Sequence, residues 1–72
     1  MVSMSDIIGG NIRRMREEKG IKKRELARKT GTYPDAIRAW EVGRSCPSAY
    51  YLYQLSKVLG CTIDDLFEGM NV

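Results

Sequence analysis

Apolar residues recur along this chain at helical spacing, in five groups separated by glycine-containing breaks. Ile8, Ile12 and Met15 stand at i, i+4 and i+7, an inward stripe that predicts a first helix from about Asp6 to Lys19. Ser3 or Ser5 can cap it, Asp6 suits the positive end of its dipole, and Gly20 ends it before Ile21 turns inward. Gly9 and Gly10 go against helix propensity, each costing about 1 kcal/mol relative to alanine. Gly9 leaves room for another helix to come close, and the sequence offers no reason for Gly10. The second group, Leu26, Ala27 and Thr30, predicts a helix over about Lys22 to Lys29, with Lys22, Lys23, Arg24, Arg28 and Lys29 facing out. A third helix, about Pro34 to Val42, turns Ile37 and Trp40 inward and leaves Tyr33, Asp35, Arg38 and Ala39 outside. Pro34 fits its first turn, and Thr32 and Asp35 have the spacing of a capping box with Thr32 as the cap. Gly43 closes it. Ser48 caps a fourth helix that runs to about Leu59, with Leu52, Leu55 and Leu59 as its core stripe and Ser56 beside them. Tyr50, Tyr51 and Tyr53 cover its first turns and read as the core edge. Gly60 ends it, and Thr62 with Asp65 opens a fifth helix, Ile63 to Glu68, expected to bury Ile63, Leu66 and Phe67. The tail after Glu68 is expected to fray.

The stretch from Lys23 to Gly43 is the one the others brace. Two short helices are joined by a tight turn, with Leu26 and Ala27 facing Ile37 and Trp40. Helices that cross steeply need a small residue where their backbones approach, which Ala27 supplies. The turn needs a residue that tolerates positive φ, which Gly31 supplies. That is the frame of a helix-turn-helix, which places its second helix in the DNA major groove.

Charge sharpens this picture. The chain has 72 residues and a formal net charge of +3. Residues 13–44 hold eleven of the twelve basic residues and five acids, whereas residues 45–72 carry a balance of −2. A polyanion would meet one attractive half. Lys22 and Lys23 sit at the start of the second helix, against their interest in the helix dipole, which fits service to an external phosphate. A chain of this length buries only about 60% of its unfolded surface, one small domain spanning 1–72 with a core of about 6–68. No apolar run can cross a bilayer, and the N-terminus lacks the basic segment and apolar core of a secretory signal, so a cytoplasmic location is expected. Cys46 and Cys61, with no histidine, are too few for a zinc site and read as reduced thiols. Neither a metal nor a cofactor is expected, and the absence of histidine, of a phosphate-cradling glycine loop and of pocket volume argues against an enzyme.

The segments IGGNIRRMREEKGI, ELARKTG, AIRAWEVGR-SCPS and LYQLSKVLGCTIDDLF, in that order, resemble the phage-repressor/Cro (XRE-type) helix-turn-helix family over about residues 7–68. The resemblance implies an all-α, five-helix bundle of the lambda-repressor-like DNA-binding type. Helices 2 and 3 form its motif, and helix 3, about Pro34–Val42, is the recognition helix. It implies an ion pair between Arg16 and Glu41, which agrees with both residues flanking apolar stripes that must meet. It implies DNA contacts from Lys23, Tyr33, Pro34, Asp35, Arg38, Ala39 and Arg44, with Ser48 and Tyr50 at the backbone, beside Lys22 and Arg28 on the basic face of helix 2.

Departures from the family pattern bear on how bases would be read. Lys23 replaces the usual glutamine, Tyr33 stands where Ser or Thr caps helix 3, and Val42 replaces a phosphate-binding asparagine. Pro34 cannot donate a hydrogen bond, Ala39 offers only a methyl contact, and Asp35 can accept from cytosine N4 or pair with Arg38. Arg38 is then the main base reader. The expected function is a repressor-like, sequence-specific transcriptional regulator of double-stranded DNA, acting as a homodimer whose interface the sequence does not specify, with the acidic second half as the candidate surface, and with no small-molecule effector evident. The competing reading is an interaction module, an antitoxin or adaptor, that keeps the fold without specific DNA reading.

Overall fold

The computed structural model describes residues 2–70. These form five helices: α1 (Met4–Lys19), α2 (Lys23–Thr30), α3 (Pro34–Glu41), α4 (Ala49–Leu59) and α5 (Ile63–Leu66). Among the described residues there are no strands. The tail residues Asn71 and Val72, and Met1, lie outside this description.

Each apolar stripe meets the others in one core. Ile8 and Ile12 of α1, Leu26 and Ala27 of α2, Ile37 and Trp40 of α3, Leu55 and Leu59 of α4, and Leu66 of α5 are all buried. Met15, Ile21, Leu52 and Phe67 are half-buried against them. α1 is the spine, packing on α3, α4 and α5, while α2 packs on α3 and α4. Gly9 lies where α1 crosses α3. A Cβ there would run into the carbonyl of Trp40 and stand 3.1 Å from that of Glu41. Backbone touches backbone at this crossing, so only glycine fits. Gly10 has open space around it, and nothing in the structure explains it.

Some expectations change. α1 begins at Met4 because Ser3, not Ser5, is the cap. The Ser3 hydroxyl accepts from the Asp6 N–H at 3.1 Å, and Asp6 returns the bond to the Ser3 N–H at 3.4 Å. Thr32 is not the cap of α3. That place belongs to Tyr33, which makes no side-chain capping bond. Helix α5 is one turn, ending at Leu66 rather than Glu68, with Phe67 as its C-cap. Ile63 stays 39% exposed at the start of this single turn, while Leu66 is fully buried. Thr62 and Asp65 form the expected capping box, with bonds of 2.9 and 3.0 Å. The Thr62 N–H and hydroxyl hold the Asp65 carboxyl below the usual carboxylate range. Tyr50 and Tyr53 are 60% and 50% exposed, so only Tyr51 of the three tyrosines serves the core edge. Both cysteines are free thiols, and burial pushes that of Cys61 upward.

Candidate nucleic-acid interface

Helices α2 and α3 are joined by Gly31, Thr32 and Tyr33. Gly31 takes φ 80°, the left-handed conformation that lets α2 stop and the chain reverse. The Thr32 N–H then reaches back to the Ala27 carbonyl at 2.9 Å. Ala27 is buried at the crossing, and Thr30 donates its hydroxyl to the Leu26 carbonyl at 2.8 Å, which satisfies it inside the core. From α4, Tyr51 leans on Trp40 with ring centroids 5.3 Å apart, and its hydroxyl reaches the Gly31 carbonyl at 3.5 Å. The turn is thus held by α2's own backbone and braced by α4. Nothing in the spacing of Tyr51 marked it for this role.

Arg16 and Glu41 come together. The guanidinium donates from Nε to Oε2 at 2.7 Å and from Nη2 to Oε1 at 3.1 Å, a two-pronged geometry. The Glu41 carboxylate is almost fully enclosed, and its bond keeps Arg16 firmly charged against the opposing effect of burial. A third bond, from Nη1 to the Ile21 carbonyl at 2.9 Å, ties in the start of the α1–α2 connection. The pair fixes how α1 and α3 meet, and so how α3 is presented.

The outer surface of the motif is where the remaining site candidates lie. Lys22 at the cap of α2 and Lys23 and Arg28 on it are exposed, as are Tyr33, Pro34, Asp35 and Arg38 on and before α3, and Arg44, Ser48 and Tyr50 beyond it. Ala39 is half-buried. Tyr33 is 78% exposed at the tip of α3. The expected partnership of Asp35 with Arg38 does not form, and among the described residues neither enters an ion pair.

Carboxylates sort the cations into two sets. Arg13 pairs with Glu17, Arg14 with Glu18 and Glu68, Arg16 with Glu41, and Lys29 with Glu25. Among the described residues, Lys19, Lys22, Lys23, Arg24, Arg28, Arg38, Arg44 and Lys57 have no carboxylate within ion-pair distance, and all of these but Lys19 and Lys57 belong to the two-helix motif or the loop after it. Capping also sets the motif apart. Helices α1, α4 and α5 have side-chain caps in Ser3, Ser48 and Thr62, whereas α2 and α3, behind Lys22 and Tyr33, have none. Among the described residues no group of His, Cys, Asp and Glu is placed to hold a metal ion.

Comparison with known proteins agrees with this architecture. Residues 12–66 match the family described as helix-turn-helix. An HTH-type transcriptional regulator of Sinorhizobium fredii, y4dJ, is 32% identical over 59 residues, covering 82% of this chain and 77% of that one. Multiprotein-bridging factor 1 of Candida albicans is 36% identical over 65 residues, covering 90% of this chain but 40% of that protein. Among solved structures, the P22 c2 repressor in complex with a synthetic operator superposes with a TM-score of 0.82 at 33% identity, covering 88% of this chain and 96% of that one. The clp gene regulator ClgR of Corynebacterium glutamicum gives 0.85 at 27% identity, covering 92% and 86%. With its α2–turn–α3 geometry and its Arg16–Glu41 brace, the chain belongs to the phage-repressor/Cro (XRE-type) helix-turn-helix family of transcriptional regulators.

Proposed function

We propose that this protein is a sequence-specific, repressor-like regulator that binds double-stranded DNA, with α3 and its flanking residues Tyr33 and Val42 entering the major groove. The observation that carries this reading is the sorting of charge. Of the eight cations without a carboxylate partner among the described residues, six lie on the motif or the loop after it, and only Lys19 and Lys57 lie elsewhere. Unpaired cations gathered on one surface suit a polyanion. The P22 c2 repressor, whose fold this chain shares, binds an operator.

Arg38, exposed on α3 and without an ion-pair partner, reads a base edge, suited to guanine O6 and N7. Asp35 accepts from cytosine N4, and Ala39 and Pro34 contribute apolar contact. Lys22, Lys23, Arg28 and Arg44 hold phosphates, with Ser48 and Tyr50 at the backbone. One such module has a small footprint, so a homodimer reads two half-sites about 34 Å apart. The protein acts by binding rather than by catalysis, in the cytoplasm. Among the described residues no helix is long and apolar enough to cross a membrane.

Selection from a random duplex library supplies the operator on which this is tested. Arg38→Ala should cost about 1–3 kcal/mol and relax one base position. Lys23→Ala should weaken all sequences alike and flatten the salt dependence. A uniform loss from Arg38→Ala would remove its role as base reader.

A second reading has one observation in its favour. The relative from Candida albicans is named a multiprotein-bridging factor, and Asp35 and Val42 lie exposed on the outer side of α3 and at its end, where a protein partner would tolerate them. Fluorescence anisotropy with random duplex across a salt series separates the two. A flat response favours the adaptor.

A further inference from the structure

We propose that Tyr51 is a positioning residue for DNA reading. It is the middle of an aromatic stack, Tyr50–Tyr51–Trp40, through which the backbone contact at the start of α4 sets how α3 presents Arg38. This rests on the DNA-binding reading above, which puts Tyr50 at the DNA backbone and α3 in the groove, and it adds the link between them.

The stack runs from solvent to core. Tyr50 is 60% exposed, Tyr51 is half-buried, and Trp40 is 6% exposed. The rings of Tyr50 and Tyr51 are nearly perpendicular, with centroids 5.1 Å apart and planes at 75°, and Tyr51 meets Trp40 at 5.3 Å and 47°. Both are spacings at which aromatic rings attract. Tyr51 also holds α3 from two sides. Its ring lies on Trp40 in the last turn of that helix, and its hydroxyl makes a long bond, 3.5 Å, to the Gly31 carbonyl ahead of the first turn. Touching the chain before an eight-residue helix and again near its end sets the direction of the helix axis. Trp40 follows Arg38 by two residues, about 200° around the helix. The indole therefore faces the core while the guanidinium faces out, and a roll of one carries the other with it. The seat itself is firm, because α4 is anchored on α1, α2 and α5. A tyrosine ring has two side-chain torsions, so it transmits a displacement with little slack.

The test uses a duplex recovered from a random library with the wild-type protein, beside a random duplex. Tyr51→Leu removes the ring contacts and should lower the ratio of selected to random affinity about tenfold, the scale of one lost base contact. The log-affinity against log-salt slope should match wild type, because no cation is lost. Partial unfolding lowers both affinities alike, so a merely structural role leaves the ratio unchanged. Tyr51→Phe keeps the stack and should hold the ratio within about threefold of wild type. The exposed end of the stack gives a second test that leaves the core intact. If Tyr50 acts by placing Arg38, its loss matters less once Arg38 is gone. Tyr50→Leu with Arg38→Ala should then lose less, by about threefold, than the product of their separate losses. Either a wild-type ratio in Tyr51→Leu or losses that simply multiply overturns the proposal and leaves the DNA-binding reading standing. Failure to enrich any duplex, with a flat salt slope, overturns both.

Discussion

Gly9 and Gly10 are neighbours with opposite meanings. Gly9 faces the backbone of α3, where a Cβ would strike the Trp40 carbonyl, whereas Gly10 faces open space. Gly9→Ala should therefore destabilise by about 2–3 kcal/mol through overpacking. Gly10→Ala should stabilise by about 0.5–1 kcal/mol, by lowering the entropy of the unfolded chain. Urea denaturation measures both, and equal effects would mean the α1–α3 crossing is not as close as described. Glu41 presents a different kind of dependence. Its side chain is 2% exposed and that of Arg16 10%, so removing one charge strands the other in the core. Glu41→Gln should cost about 3 kcal/mol in the same measurement, while a loss below about 1 kcal/mol would mark the pair as solvent-screened. The pairing of Arg16 and Glu41 was legible because the family pattern names both positions. The crossing at Gly9 was half legible, since a glycine in a helix asks for a reason but does not name its neighbour.

At the level of the helices, the two that form the motif lack side-chain caps. Lys22 and Tyr33 occupy cap positions with extended backbone, yet neither side chain accepts from the first turn. Tyr33→Ser supplies the missing acceptor and should stabilise by about 1 kcal/mol, a rise of roughly 4–8 °C in Tm for a domain of this size. A fall in Tm would show that the exposed Tyr33 ring packs against something that outweighs a cap. Thr32 looked eligible from its spacing to Asp35, but the helix starts one residue later. The left-handed turn at Gly31 and the helical φ of Pro34 leave Tyr33 alone at the junction. The fifth helix was overread for a related reason. Periodicity marks Ile63, Leu66 and Phe67 as one face, but a four-residue helix has no second turn on which to repeat it.

Across the whole molecule, the C-terminal half is fastened to α1 by Asn11. Its side-chain amide donates to the carbonyls of Leu66 and Glu68, both at 2.9 Å, and Arg14 links Asn11 Oδ1 to the Glu68 carboxylate. Asn11→Ala leaves the Leu66 carbonyl without this partner and should cost about 2 kcal/mol. Hydrogen exchange should then speed up in α5 while the amides of α2 and α3 keep their protection. Uniform acceleration would mean that the clamp supports the whole bundle rather than its C-terminal end. The five helices, the inward stripes of α1 to α4, the turn at Gly31 and the basic character of the motif followed from spacings of a few residues. Helical periodicity and the sign of φ are local properties of the chain. What packing had to settle was partnership: the amide of Asn11 meets a carbonyl 55 residues away, and Gly9 meets the backbone of α3. The cations are divided on this point: Arg13, Arg14 and Lys29 find a carboxylate four residues away on their own helix, whereas the reach of Arg14 to Glu68 needs the folded arrangement.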